Sequence, residues 1–189
     1  MKTFKILSMA VTVAILFVSC SNDNDSQPVN EEEVITTVTA TLTPVGGGTA
    51  VVLQSKDLDG DGPTAPVVTV SGNFAKGKTY NGALSLLNEL SNPVGNTSAE
   101  ILEEGVDHQF FFQSTGGTFA SSAYLDTDAN GAPIGLQFSL TAGATASTGT
   151  LTITLRHQPN KSGINVPAGD ITNANGETDV QVTFPVVVE

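Results

Sequence analysis

Hydrophobic and polar residues alternate along most of this chain. From Val34 to Leu42, one side of an extended chain is mainly apolar and the other carries mainly threonine hydroxyls. A period of two is typical of a β-strand with one buried face. The alternation recurs between clusters of Gly, Asn and Asp, and it predicts nine strands, at 34–42, 49–56, 66–71, 79–90, 109–114, 121–125, 134–141, 149–158 and 178–188.

One segment, residues 97–105, breaks the alternation. Thr97 stands three residues before Glu100, as in a capping box, and a glycine ends the segment. The pattern predicts a short connector helix near 97–105, which is stable only when packed on the sheets, and we expect Ile101 and Leu102 to provide that packing. Nine strands and one short helix predict an all-β fold, a single antiparallel β-sandwich of the Ig-like or Greek-key type.

Three consecutive phenylalanines stand in the fifth predicted strand. Phe110 and Phe112 share one face of that strand, and Phe111 points to the other. We expect the preceding helix to cover Phe111, because contiguous exposed aromatic patches are uncommon in soluble domains. The alternative is an exposed patch for a partner or a glycan.

The start of the chain has a different pattern. Two lysines precede the apolar run Ile6–Val18, which ends at small residues before Cys20. This order is typical of a secretory signal, and the run is too short to span a bilayer. Cys20 is the only cysteine of the chain, and lipidation explains an unpaired thiol in an oxidising compartment. We predict a signal peptide at 1–19 and a diacylglyceryl lipid on Cys20, with palmitate among its acyl chains; the alternative is a plain secreted protein.

The segment after the cysteine is acidic and almost without apolar residues. Residues 20–33 therefore predict a lipidated, flexible tether before a β-sandwich domain at 34–189. Cleavage removes two lysines and no acids, so the basic residues fall from seven to five against 19 acidic ones and the net charge changes from −12 to −14. This charge disfavours nucleic acid as a partner. The acidic residues after the cysteine resemble the export signal of surface lipoproteins, and the cell surface and the periplasmic face both stay open.

Two loops carry oxygen-bearing side chains at positions one, three and five before a glycine: Asp57, Asp59 and Asp61, and Asp126, Asp128 and Asn130. Alternate residues of a tight loop point their oxygens to one centre, which suits Ca²⁺. Position twelve, which is Glu in a complete EF-hand loop, is Val68 in the first loop and Gln137 in the second. Ca²⁺ is therefore a predicted cofactor whose remaining ligands must come from elsewhere in the fold. The alternative is that both loops are ordinary turns.

The chain has two histidines, and each stands at one end of a predicted strand. His108 shares a strand face with inward phenylalanines, and His157 shares one with inward leucines and isoleucine. If these strand ends are neighbours, both rings and a carboxylate of Glu103, Glu104 or Asp107 make a site for Zn²⁺ or Cu²⁺. The alternative is that each histidine bonds a backbone carbonyl or a nearby acid.

Common catalytic motifs are missing from the sequence. It has no G-x-S-x-G, H-E-x-x-H or C-x-x-C motif, and its triple glycine joins two predicted strands, unlike a phosphate-binding loop between a strand and a helix. Aromatic residues, which stack on sugars in glycan clefts, make up 6% of the chain. We therefore predict that the protein is not an enzyme.

The lipobox Phe17-Val18-Ser19-Cys20 and the segments 33–38, 57–62, 107–112 and 151–161 resemble a family of small Bacteroidota lipoproteins. Such proteins often carry the label "type 1 periplasmic binding fold superfamily". That label implies a longer, two-lobed α/β fold, and the alternating pattern keeps the prediction at a β-sandwich. The resemblance implies an outer-membrane lipoprotein on the cell surface or the periplasmic face, attached to the membrane by its N-terminal lipid.

Two function classes follow from these patterns. The first is a non-enzymatic binding or accessory module of an envelope assembly or nutrient-uptake system, with an outer-membrane receptor or another envelope protein as its partner. The alternative is a surface structural or adhesion module stiffened by calcium.

Overall fold

The computed structural model describes residues 33–60 and 62–189. The predicted signal peptide, Cys20, all of the predicted tether except Glu33, and Asp61 lie outside the described residues. The described chain forms one helix, α1 (Thr97–Glu103), and nine strands: β1 (Thr37–Pro44), β2 (Val51–Lys56), β3 (Val67–Val70), β4 (Thr79–Leu87), β5 (His108–Ser114), β6 (Phe119–Tyr124), β7 (Gln137–Ala142), β8 (Ser147–His157) and β9 (Glu177–Val188).

The strands form two antiparallel sheets, which confirms the predicted all-β sandwich class. One sheet has six strands in the order β3-β2-β1-β4-β7-β6, and the other has three in the order β5-β8-β9. All nine predicted strands are present. The chain changes sheet three times, between β4 and β5, between β5 and β6 and between β7 and β8.

The alternating pattern produces the core because each sheet turns its apolar side chains toward the other. Phe112 of the small sheet stacks on Phe138 of the large sheet, with ring centroids 4.0 Å apart. Gly82 of β4 makes room for this pair, since a Cβ there would lie 2.3 Å from the Phe138 ring. The largest fully buried side chains come from both sheets and their connections, among them Leu42, Leu53, Leu86, Leu140, Phe110, Leu151 and Phe184.

Helix α1 is present, but two details of its prediction are wrong. Ile101 is buried as expected, whereas Leu102 is 58% exposed. The capping box does not form, because no side chain caps the helix start. The Ser98 hydroxyl instead accepts a hydrogen bond from the backbone N–H of Leu86 at 2.6 Å. Attachment to β4 therefore holds the helix where a local cap was predicted.

Phe111 is fully buried, as predicted, but α1 does not cover it. It packs with Val166 and Ala174, and Ile171 lies against the same cluster. These residues belong to the connection between β8 and β9, which contains two short 3-10 turns. The outer face of the small sheet is therefore covered around Phe111 by a segment that has no periodic pattern in the sequence.

Candidate functional site

Strand pairing brings the two histidines together. His108 begins β5, His157 ends β8, and the antiparallel register places them directly opposite each other. Their ring centroids are 4.8 Å apart, and the rings meet edge to face at 79°. The strand ends are therefore neighbours, as the metal-site hypothesis requires.

The carboxylate of the cluster is Asp179, from the neighbouring strand β9. Its oxygens lie 3.7 Å from His108 Nε2 and 3.8 Å from His157 Nδ1. The β8–β9 register shifts between Leu155 and Arg156, so Asp179 has no opposite residue on β8. Such a bulge re-aims a side chain, and the Asp179 side chain is only 2% exposed between the two rings.

Sequence reasoning missed Asp179. Its only signal is an acidic residue just inside a strand that otherwise becomes rich in valine. The position of the bulge depends on how β9 pairs with β8, and no local pattern in the sequence fixes that pairing.

The backbone fixes the tautomer of His108. Its Nδ1 lies 3.1 Å from the carbonyl oxygen of Glu104. A carbonyl oxygen only accepts hydrogen bonds, so Nδ1 carries the hydrogen and donates it. Burial lowers the pKa of His108, which favours the neutral ring. In that ring Nε2 presents a lone pair toward Asp179.

The two ring nitrogens that face Asp179 lack hydrogen bonds within the described residues. His108 Nε2 and His157 Nδ1 are both buried, and neither makes a hydrogen bond to any described residue. Their distances of 3.7 and 3.8 Å to the Asp179 carboxylate are longer than a hydrogen bond. Buried polar atoms of this kind are rare in folded proteins and call for an explanation.

Two more carboxylates approach His108 from the surface. Glu33, the first described residue, and Glu104 each place a carboxylate oxygen within 4.8 Å of the other and of a His108 ring nitrogen. Burial and the nearby charges of Glu100 and Glu104 raise the pKa of Glu33 to about 7. Glu104 thus lies near the cluster as predicted, whereas Asp107 is exposed and belongs to neither group of possible metal ligands.

The second acidic loop is organised around a lysine. The Lys161 ammonium donates to Asp128 Oδ2 at 2.8 Å and to the carbonyl oxygens of Gly105 and Pro133. Both side chains are buried, Lys161 at 9% exposure and Asp128 at 1%. Burial raises the pKa of Asp128, but hydrogen bonds from Lys161 and two backbone amides outweigh it and hold that pKa below its ordinary value.

The other members of the second loop are also used within the protein. Asp126 accepts hydrogen bonds from the backbone amides of Gly135 and Gln137. Asn130 donates its backbone N–H to Asp128 Oδ1. The two predicted carboxylate ligands of this loop, Asp126 and Asp128, therefore have protein partners, and the ammonium of Lys161 supplies a positive charge.

The first acidic loop is more exposed. Asp57 Oδ1 accepts from the backbone N–H of Asp59 at 3.3 Å, and Asp59 Oδ2 accepts from that of Thr64 at 3.1 Å. Within the described residues, neither carboxylate makes an ion pair. With Asp61 outside the described residues, calcium at this loop stays a prediction.

Comparison of the chain with protein-family models, with curated proteins and with solved structures found no match. Across the described residues, no helix combines the length and the apolar character needed to cross a membrane.

Proposed function

We propose that this protein is a non-enzymatic, lipid-anchored binding or accessory module of the bacterial outer membrane, serving an envelope assembly or nutrient-uptake system. The observation that carries the proposal is the gathering of chemical groups at one end of the domain. His108, His157 and Asp179 meet where β5 starts, β8 ends and β9 starts. Glu33, the last residue of the proposed tether, lies beside them.

This arrangement suits binding better than catalysis. The two rings and the Asp179 carboxylate are buried inside the small sheet, and His157 is the slightly exposed member, with 11% of its side chain accessible. An enzyme site needs a concave pocket in which acid and base groups reach a substrate. A buried cluster of two imidazoles and a carboxylate beside Glu33 instead suits a small ligand that the domain holds.

The anchor is tested by mass spectrometry of the mature protein from a bacterium that lipidates it. We expect the chain to begin at Cys20 and to carry a thioether-linked diacylglyceryl group. Cys20→Ser should remain unlipidated and should leave the membrane fraction. A mature wild-type chain that begins elsewhere, or whose Cys20 is unmodified, would refute the anchor.

The accessory role is tested by affinity capture from detergent-solubilised outer membrane, with Cys20→Ser as a matched control for contacts made through the lipid. Stoichiometric recovery of one membrane receptor by both chains supports the proposal. Recovery by the lipidated chain alone indicates co-purification through detergent and lipid, and counts against a specific partner.

The exposed first acidic loop favours a second candidate function, a calcium-stiffened surface structural or adhesion module. Its two described carboxylates have no cation partner in the described part of the chain. Binding of the purified protein to cells or glycans, dependent on Ca²⁺ and without a receptor, would favour this candidate.

A further inference from the structure

We propose that His108, His157 and Asp179 bind a divalent transition metal ion of the Zn²⁺ class. This inference deepens the proposed binding function, on which it rests, by naming the chemical class of the ligand. It starts from three side chains on three adjacent strands whose possible ligand atoms all lie within 4.8 Å of one another.

The distances fit a coordination shell better than a hydrogen-bonded network. With metal bonds of about 2.0–2.1 Å, two ligand atoms of a tetrahedral zinc site are about 3.3 Å apart. The two nitrogen-to-oxygen distances of 3.7 and 3.8 Å exceed this edge by only a few tenths of an ångström. A hydrogen bond in the same place would need about 2.9 Å.

The surroundings of His108 are those of a metal ligand. Its Nδ1 donates to the Glu104 carbonyl oxygen, which leaves the lone pair of Nε2 directed at Asp179. Metal-binding histidines commonly donate their second ring N–H to a backbone carbonyl, which holds the ring in place. His108 is fully buried, and Nε2 has no hydrogen-bond partner among the described residues. A cation between the ring and the carboxylate would use this lone pair.

The ligand atoms of the site indicate which metal ion it would bind. Two imidazole nitrogens and one carboxylate favour Zn²⁺ or Cu²⁺, whereas Ca²⁺ prefers six to eight oxygens. Three protein ligands leave at least one position for water or a further group. Glu33 and Glu104 each place a carboxylate oxygen within 4.8 Å of a His108 ring nitrogen. His157 is the one ligand of the three that solvent reaches, with 11% of its side chain exposed.

The first test is Zn²⁺ titration of the full-length protein, purified in detergent without a histidine tag and treated with EDTA. We expect one Zn²⁺ per chain. Asp179→Asn should weaken binding by at least about ten-fold, the lower range found when even an outer-shell partner of a metal ligand is removed. The matched control is Asp107→Asn, which removes the same charge from an exposed residue next to His108 and should leave the affinity unchanged. Equal effects of the two variants would overturn the assignment.

The second test needs no variant, because the chain has only two histidines. Long-range ¹H–¹⁵N NMR spectra of the wild-type imidazoles are recorded before and after one equivalent of Zn²⁺. We expect changes at His108 Nε2 and His157 Nδ1, with His108 Nδ1 still protonated. Unchanged imidazole signals would show that Zn²⁺ does not bind the two histidines. That result would overturn the proposal even if Asp179→Asn does not fold.

The two proposals fail separately. Receptor capture without zinc binding refutes the metal site and leaves the accessory module intact. Zinc binding without receptor capture refutes the accessory module and leaves the metal site intact.

Discussion

Two buried clusters of polar groups in this domain solve the same electrostatic problem in different ways. At the Asp128 cluster, the Lys161 ammonium lies among a carboxylate and two carbonyl oxygens and supplies the positive charge itself. At the Asp179 cluster, two imidazoles face the carboxylate at distances too long for hydrogen bonds. A buried charge must be paired and hydrogen-bonded to be tolerated. The first cluster thus contains its own cation, while the second combines two imidazoles and a carboxylate, a donor set that suits an external metal ion.

The largest expected change in stability comes from removing the ammonium of the Asp128 cluster. Lys161→Met keeps the aliphatic stem but leaves Asp128 and two carbonyl oxygens without their donor. We expect a loss of about 3–5 kcal/mol in the free energy of unfolding, as for other buried pairs that lose one partner. Chemical denaturation measures this loss. Lys76→Met, at an exposed lysine, is the control. A loss below about 1 kcal/mol would show that the ion pair is weak.

The second prediction concerns Zn²⁺ binding at the Asp179 cluster. Zn²⁺ at a hundredfold excess over its Kd should stabilise wild-type protein by about 2.7 kcal/mol relative to EDTA, since it binds only the folded state. In thermal melts this is a shift of several degrees. With its Kd raised at least about ten-fold, Asp179→Asn should retain a stabilisation of about 1.4 kcal/mol or less at the same zinc concentration. Lys161→Met should keep the full shift from a lower starting temperature. An undiminished shift in Asp179→Asn would mean that zinc binds elsewhere.

The third prediction removes one carboxylate near each cluster. Removal beside His108 should raise the free energy of unfolding, and removal at Asp128 should lower it. The pKa of Glu33 rises from its ordinary 4.5 to about 7 in the folded protein. The folded state therefore binds this proton more tightly, and wild type loses stability as the pH rises from about 4.5 to 7. In EDTA at pH 8, Glu33→Gln should be more stable than wild type by about 1 kcal/mol, after discounting for solvent screening at this partly exposed group.

This gain should vanish below about pH 4.5, where Glu33 is protonated in both states. At pH 8 Asp128→Asn should instead lower stability, because it weakens the ion pair with Lys161. The exposed Glu103→Gln controls for the change in net charge. Equal stability of Glu33→Gln and Glu103→Gln at pH 8 would contradict the crowding of carboxylates around His108.

The smallest effect concerns the two acidic loops. A weak extracellular calcium site with a Kd of about 10⁻³ M gains about 0.4 kcal/mol from 1 mM CaCl₂, or a melting shift of about 1–2 °C. We expect this shift relative to EDTA at matched ionic strength, and its loss in Asp57→Ala with Asp59→Ala. Asp126→Ala should keep the shift at a lower melting temperature, because that carboxylate serves the backbone amides of Gly135 and Gln137. Identical melts of wild type in CaCl₂ and NaCl would identify the first loop as a plain turn.

The strands could be predicted from the sequence because their signal is local. The strands that form the core bury one face, so alternate residues there must be apolar, whereas β3 and β6 at the edges of the large sheet are mostly exposed. The same logic placed His108 and His157 on inward faces at strand ends. The residues that cover Phe111 were not predictable in the same way. Val166 and Ala174 lie in the β8–β9 connection, whose sequence has no periodic hydrophobic pattern.

The sequence by itself determined the class of fold, the inward direction of both histidines and the spacing of the acidic loops, because each depends on residues a few positions apart. Only the tertiary structure decided which partners those groups meet. Asp179 joins the histidines through a bulge in β8–β9 pairing, and Lys161 reaches Asp128 from a distant loop. Such contacts depend on strand register and chain crossing, and the free energy of burying a charge is set by whatever group the fold brings opposite it.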